Sequence, residues 1–166
     1  MQVTGENGRT AVAEIIAGDL TTLMREIDTG FFCLKDRDVA DEFWGWYVKP
    51  EIERLFAPDV VFHSHFEGPS GLNVYTGYEG LRKWADDISE VFARFERLNE
   101  NWEGVDDRAL LVHQRIEATG RESGAEMELR AWVLWKLAEG RITELRSYTD
   151  RYEAVAEAGE MPVPIV

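Results

Sequence analysis

Cysteine is all but missing from this chain. Cys33 is the only one in 166 residues, so no disulfide can close within it and a thiolate-rich metal site is excluded. Apolar runs are short: "AWVLW" is among the longest, far below a membrane span. The first ten residues, "MQVTGENGRT", lack the basic and apolar regions of a secretion signal, which points to the cytoplasm. Positive charge is also in deficit. Eighteen Lys and Arg stand against 32 Asp and Glu, a net charge of −14. That field repels phosphate backbones and anionic lipid, so neither nucleic acid nor a membrane is expected as a partner. It also disfavours a highly anionic substrate unless the site is locally basic. No glycine-rich phosphate loop or nucleotide fingerprint occurs, and no cofactor is expected. No Ser-His-Asp set has a recognisable context either.

What is present reads as a folded domain, with 45% hydrophobic and 11% aromatic residues. The expected organisation is a flexible stretch 1–9, a single domain over 10–160 and a tail 161–166. Val12, Ile15, Ile16, Leu20, Leu23, Met24, Ile27 and Phe31 recur at three and four residues, predicting helix from Thr10 to about Leu34. Cys33 lies in that apolar stretch and reads as core. Pro50 opens a short helix that Pro58 is expected to end. "DVVFHSHF" reads as a strand and "GPSGLN" as a loop. "TGYE" has capping-box spacing, Thr76 to Glu79. The helix it starts carries Leu81, Trp84, Ala85, Ile88, Val91, Phe92 and Phe95 on one stripe.

The period then falls to two. Strands are expected over Arg97–Val105, Ala109–Thr119, Met127–Leu137 and Arg141–Thr149, with "EGR" (Glu139 to Arg141) turning between the last two. Asp150 and Glu153 cap a last helix through Ala158, closed by Gly159. Helices followed by an antiparallel meander predict an α+β fold, with helices on one face of a curved sheet.

The segments "LFAPDVVFH", "YTGYEGLRKW" and "GRESGAEMELRAWVLWKLAEGRITELRSYTDRYEAVAEAG", in this order, resemble the SnoaL-like branch of the nuclear-transport-factor-2-like superfamily. Its relatives include polyketide cyclases, ketosteroid isomerases and limonene epoxide hydrolases. The resemblance spans roughly residues 10 to 160. It implies a cone-shaped curved antiparallel sheet, with the N-terminal and central helices packed on its concave face over a pocket for a small apolar molecule. It also implies a homodimer through the outer sheet face.

Strand alternation gives each strand two faces. In Met127–Leu137 the set Met127, Leu129, Ala131, Val133, Trp135 and Leu137 is wholly apolar and should face the pocket. The epoxide-hydrolase register agrees for Leu129 and Ala131. It also turns Phe62, Ser64, Ser147 and Thr149 inward, while Trp84 and Ile88 reach the pocket from the helix. His63 and His65 then point outward, away from any convergence with His113, and no metal site is expected.

By the same register Arg115 and Glu117, in "VHQRIE", match the arginine and acid of the epoxide hydrolases, and His113 shares their face. Glu117 would be a general base or acid, Arg115 its partner or an oxyanion stabiliser, and His113 a second proton-transfer group. The competing reading is an inert Arg115–Glu117 ion pair at the sheet rim. The water-positioning residues and second acid of the epoxide hydrolases are replaced by Phe62, Ser64 and Ser147. The isomerases' base position is likewise Ser64, so neither mechanism carries over. Asp150 is read as a helix cap rather than an acid, and Tyr148 and Arg146 as outer-face groups. Trp44, Trp46 and Tyr47 either lid the pocket or fill between helices. Two functions stay open: a cofactor-independent isomerase, cyclase or lyase acting on a small apolar cyclic or aromatic carbonyl compound, which the reading favours, and a non-catalytic binding or dimeric interaction module.

Overall fold

Leu20, Leu23 and Met24 recur at helical spacing, and residues 19–25 form a helical turn, α1, with these three buried on one side. The computed structural model describes residues 19–25, 42, 44–65, 69–105, 108–158 and 163–164. Val12, Ile15, Ile16, Ile27, Phe31, Cys33 and Gly159, like the side chains of Trp46 and Tyr47, lie outside what is described. A π-helical turn, Trp44–Val48, leads into α2 (Lys49–Leu55), where Pro50 sits in the first turn and its missing N–H costs nothing.

Phe56 already belongs to β1 (Phe56–His63), so Pro58 stands inside a strand instead of ending a helix. It falls between Phe56 and Val61, where the pairing register shifts and a residue without a donor is tolerated. A short β2 (Val74–Thr76) pairs with β1. Thr76 is the N-cap of α3 (Gly77–Val91), but its side chain makes no capping bond, so the expected box with Glu79 does not form. Gly77 opens this helix at φ 72°, far from the helical first-turn geometry on which such a box closes.

No loop follows α3. Phe92 begins β3 (Phe92–Val105), so Phe92 and Phe95 leave the helical stripe and enter the core from a strand. Strands β4 (Ala109–Gly120), β5 (Glu126–Ala138) and β6 (Arg141–Tyr148) lie within a residue or so of their expected bounds. Glu139 and Gly140 join β5 to β6, both at positive φ (53° and 77°), as a type I′ turn requires. Asp150 caps α4 (Arg151–Ala158) by accepting from the Tyr152 N–H at 2.7 Å. Two residues of the expected tail, Val163–Pro164, form β7 on the edge of β3.

The sheet order is β2-β1-β6-β5-β4-β3-β7. All neighbours are antiparallel except β1 and β6, which run parallel. Bulges in β3, between Phe92 and Arg94 and between Asn99 and Asn101, bend the long hairpin. One apolar cluster joins α1, the π turn, α2 and α3 to the concave side of the sheet, including Val112, Ile116, Ala131, Val133 and Trp135. This is the α+β cone that the order of elements implied. A smaller cluster lies on the convex side, where Ala154 of α4 covers Ala109, Leu111 and Leu134. The β4–β5 turn is fastened to the end of α3. Arg121 donates Nε to Ser89 O at 2.9 Å, NH2 to Phe92 O at 3.2 Å and its backbone N–H to Val91 O at 2.9 Å. No helix among the described residues is long and apolar enough to cross a membrane.

Candidate functional site

The space between helices and sheet is a cavity with an open mouth, lined from both layers. Aromatic rings dominate its walls. Phe62, Trp84 and Phe95 meet edge to face, with ring centroids 5.4 and 6.0 Å apart. Trp135 packs between Phe56 and Trp102, at 6.2 and 6.3 Å. The polar side chains on the wall are Ser64, His65, Arg97, Gln114 and Ser147. None of the described lining residues is a carboxylate.

His65 and Ser147 meet on the cavity wall. The β1 ladder ends at His63, with one further backbone bond from the Ser64 N–H to Asn73 O at 2.8 Å. Beyond the ladder alternation no longer fixes direction, and Ser64 and His65 both reach the cavity. The expectation that His65 faces outward is therefore corrected, whereas His63 does lie outside, 3.6 Å from Glu144 and 3.4 Å from Arg146. His65 Nδ1 and Ser147 Oγ share a hydrogen bond of 2.6 Å. Ser147 faces inward from β6, opposite Val133. His65 is exposed at the cavity edge, yet desolvation of part of its ring pushes its pKa below the ordinary 6.5 and so favours the neutral imidazole.

The row expected in the cavity lies on the other side of the sheet. Directly opposed residues of an antiparallel pair share a face. Gln114 opposes Ala131 and Val112 opposes Val133, so His113, Arg115 and Glu117 sit with Trp132, Arg130 and Glu128 on the convex face. The pair itself forms, with Arg115 NH1 donating to Glu117 Oε1 at 3.0 Å, but about a third of each side chain is exposed. It joins a web in which the bulge residue Glu100 accepts from Arg115 at 2.7 Å and Arg130 at 3.3 Å, and Arg94 reaches Glu117 at 3.1 Å. His113 stacks on Trp132 with centroids 4.7 Å apart. Among the other expected lining residues, Phe62, Ser64, Trp84, Ala131, Val133, Trp135 and Ser147 line the cavity. Ile88 and Leu129 belong to the core beside it, and Thr149 is exposed past the end of β6, beyond the reach of its alternation.

What takes the place of that row is Gln114, 4% exposed on the concave face. Its amide Nε2 donates to Asn99 Oδ1 at 3.1 Å, and Asn99 Nδ2 in turn donates to Thr21 Oγ1 of α1 at 3.4 Å. Arg97, also on β3, lays its guanidinium 4.8 Å from the centroid of the Trp84 ring. The alternation of β4 would have found Gln114, since Leu110, Val112, Ile116 and Ala118 around it are the more apolar set. Outside the cavity, the buried Asp87 carboxylate accepts from Ser70 Oγ at 2.5 Å and Tyr75 OH at 2.8 Å, and Lys83 stands 3.5 Å away. Among the described residues no three His, Cys, Asp or Glu side chains converge as a metal site would need.

The model of the SnoaL-like domain matches residues 40–145, more than half of the chain. The protein belongs to the SnoaL-like domain family. No curated protein matches the sequence. Several solved structures share the fold. Bal32a, from a soil-derived mobile gene cassette, shares 14% identity at a TM-score of 0.61, covering 90% of this chain and 99% of its own. A Mesorhizobium loti protein assigned as a SnoaL-like polyketide cyclase shares 22% at a TM-score of 0.53, covering 81% and 97%. TerC, co-crystallised with polyporic acid, shares 15% at 0.59, covering 87% and 98%. At these identities the SnoaL-like likeness is one of fold.

Proposed function

We propose that this SnoaL-like protein is a cofactor-independent acid/base enzyme of the isomerase, cyclase or lyase type, acting in the cytoplasm on a small apolar cyclic or aromatic carbonyl compound. The observation that carries the reading is the 2.6 Å bond between His65 Nδ1 and Ser147 Oγ at an otherwise aromatic cavity. His65 and Ser147 act as one proton-transfer unit: as Ser147 Oγ takes a proton from the carbon beside the carbonyl, its own proton passes to Nδ1. TerC with polyporic acid, and a relative assigned as a polyketide cyclase, support a ring-bearing occupant. Proton abstraction is measured directly as exchange of the α-hydrogens of 1-tetralone in deuterium oxide, followed by NMR. Wild type accelerates the exchange, and His65→Gln slows it by about a hundredfold, the usual scale of a general base. Equal acceleration by wild type and His65→Gln would remove His65 from the chemistry.

The absence of a carboxylate from the described lining favours a second reading, a binding module. Under it 1-tetralone binds and its exchange stays at the solvent rate. We further propose that two copies pair through the convex face, where His113, Trp132 and Tyr148 form a half-buried row. Light scattering at micromolar concentration then gives twice the chain mass, and Trp132→Glu gives the single mass. Single mass for wild type rules the pairing out.

A further inference from the structure

A glutamine on an apolar sheet face needs a use for both ends of its amide, because a buried polar group left unmet costs stability. Gln114 stands among Leu110, Val112, Ile116 and Ala118 on the concave face of β4 and lines the cavity. Only its donor end is spent. Nε2 donates to Asn99 Oδ1 at 3.1 Å, with Met24 Sδ 3.9 Å away. Asn99 turns its own Nδ2 to Thr21, so its oxygen faces Gln114 and holds the amide in one direction.

Gln114 Oε1 receives no hydrogen bond among the described residues. It is not sealed in either. The described side-chain atoms that are both unpaired and closed to water are Trp84 Nε1, Trp135 Nε1, Asp87 Oδ1 and His113 Nε2. The 4% of Gln114 that stays exposed therefore includes an unpaired carbonyl oxygen, and the space it opens on is the cavity. Directly across from it on β5 stands Ala131, whose methyl leaves the floor low beside the amide. Register gives the distance to the His65–Ser147 pair. Val112, Val133 and Ser147 form one cross-strand row, and Gln114 lies two residues further along β4. Two strand spacings and two residues put the α-carbons of Gln114 and Ser147 about 12 Å apart, a span that a fused two-ring compound can bridge.

We propose that Gln114 Oε1 selects the ligand of the cavity, accepting a hydrogen bond from a ring hydroxyl at the end remote from the carbonyl that faces His65 and Ser147. The substrate class is then a hydroxylated two-ring ketone. This rests on the reading of the cavity as an acid/base site, and it adds the group that recognises the far end of the molecule. Gln114 positions the ligand and takes no part in the proton transfer. A ring without the hydroxyl shuts Oε1 off from water and leaves it unmet, so a donor at that end is what the site discriminates.

The test uses 1-tetralone, 6-methoxy-1-tetralone and 6-hydroxy-1-tetralone, which share the ketone and carry at one ring position a hydrogen, an acceptor or a donor. Each is titrated calorimetrically into the full-length protein and into Gln114→Met, which keeps the length of the side chain and removes the amide. Wild type binds the 6-hydroxy compound about tenfold more tightly than the other two. Gln114→Met binds all three alike. Equal binding by wild type refutes the assignment and leaves the cavity reading in place. A preference that survives in Gln114→Met also refutes it, since the hydroxyl then meets another group on the wall. Tighter binding of the 6-methoxy compound means that the amide presents its N–H, and overturns it too. If the preference holds but exchange of the α-hydrogens is not accelerated, the acid/base reading fails and the role of Gln114 in binding stands. If no compound binds saturably, both fall. The wild-type preference decides the matter even where Gln114→Met fails to fold.

Discussion

His65 illustrates how one side chain couples stability to pH. Its pKa in the fold lies below the 6.5 of the free group because part of the ring is desolvated, and His63 is lowered in the same way. Between the lowered value and 6.5 the unfolded chain binds more protons than the folded one. Stability is therefore full above pH 6.5 and is lost as pH falls through that value toward the lowered one. His65→Gln should flatten the fall in melting temperature between pH 7 and pH 5, read by circular dichroism. The proposed proton transfer should follow the same sign, with α-hydrogen exchange fastest when the imidazole is neutral and lost on acidification. Asp87 is the second informative residue. Its carboxylate is 1% exposed and holds Ser70 and Tyr75, whose phenol it and burial push well above the ordinary value of 10. Asp87→Ala takes away the carboxylate to which the buried Tyr75 hydroxyl and the exposed Ser70 hydroxyl donate, and should cost about 1.5–3 kcal/mol by urea denaturation. At this scale the sequence was half legible. Phe62, Trp84, Ala131, Val133, Trp135 and Ser147 could be placed by alternation, helical stripe or register. Arg115 and Glu117 could not, because the register of distant epoxide hydrolases assigns one face and the alternation of β4 assigns the other.

Elements differ in how firmly local sequence determines them. Asp150 and Thr76 both stand at the N-terminus of a helix, yet only Asp150 makes the capping bond. Asp150→Ala should lower stability by about 1 kcal/mol and Thr76→Ala by much less, a contrast that thermal melts can resolve. The β5–β6 turn holds Glu139 at φ 53°, a conformation that asparagine adopts more readily. Glu139→Asn should raise stability by about 0.5–1 kcal/mol, and Gly140→Ala at φ 77° should lower it by about 1 kcal/mol. The strands were legible because one alternate set of β5 residues is apolar over its whole length and because a two-residue turn is marked by its glycine. The end of α3 was not. Phe92 and Phe95 fit both a helical stripe and an inward strand face, and periodicity alone cannot separate the two. Pro58 looks like a terminator by type, and only the pairing shift around it explains how a strand holds it.

On the scale of the molecule, charge and topology pull apart. The cone is determined by the order of helices and strands, and that order was enough to imply it. The net charge of −14 says nothing of the fold, but it repels itself across the surface. The convex ion pairs are partly exposed and individually weak, so they do not offset it. Raising sodium chloride from 0.01 to 0.15 M shortens the Debye length from about 30 to about 8 Å. The melting temperature should rise across that range, and a fall would mean that the convex web outweighs the general repulsion.

Arg121 has a mechanical consequence. By gripping Ser89, Val91 and Phe92 it clamps the last turn of α3 to the tip of the β4–β5 hairpin. The Trp84 wall and the sheet floor are thus stapled at one end and cannot yawn apart there like a hinge.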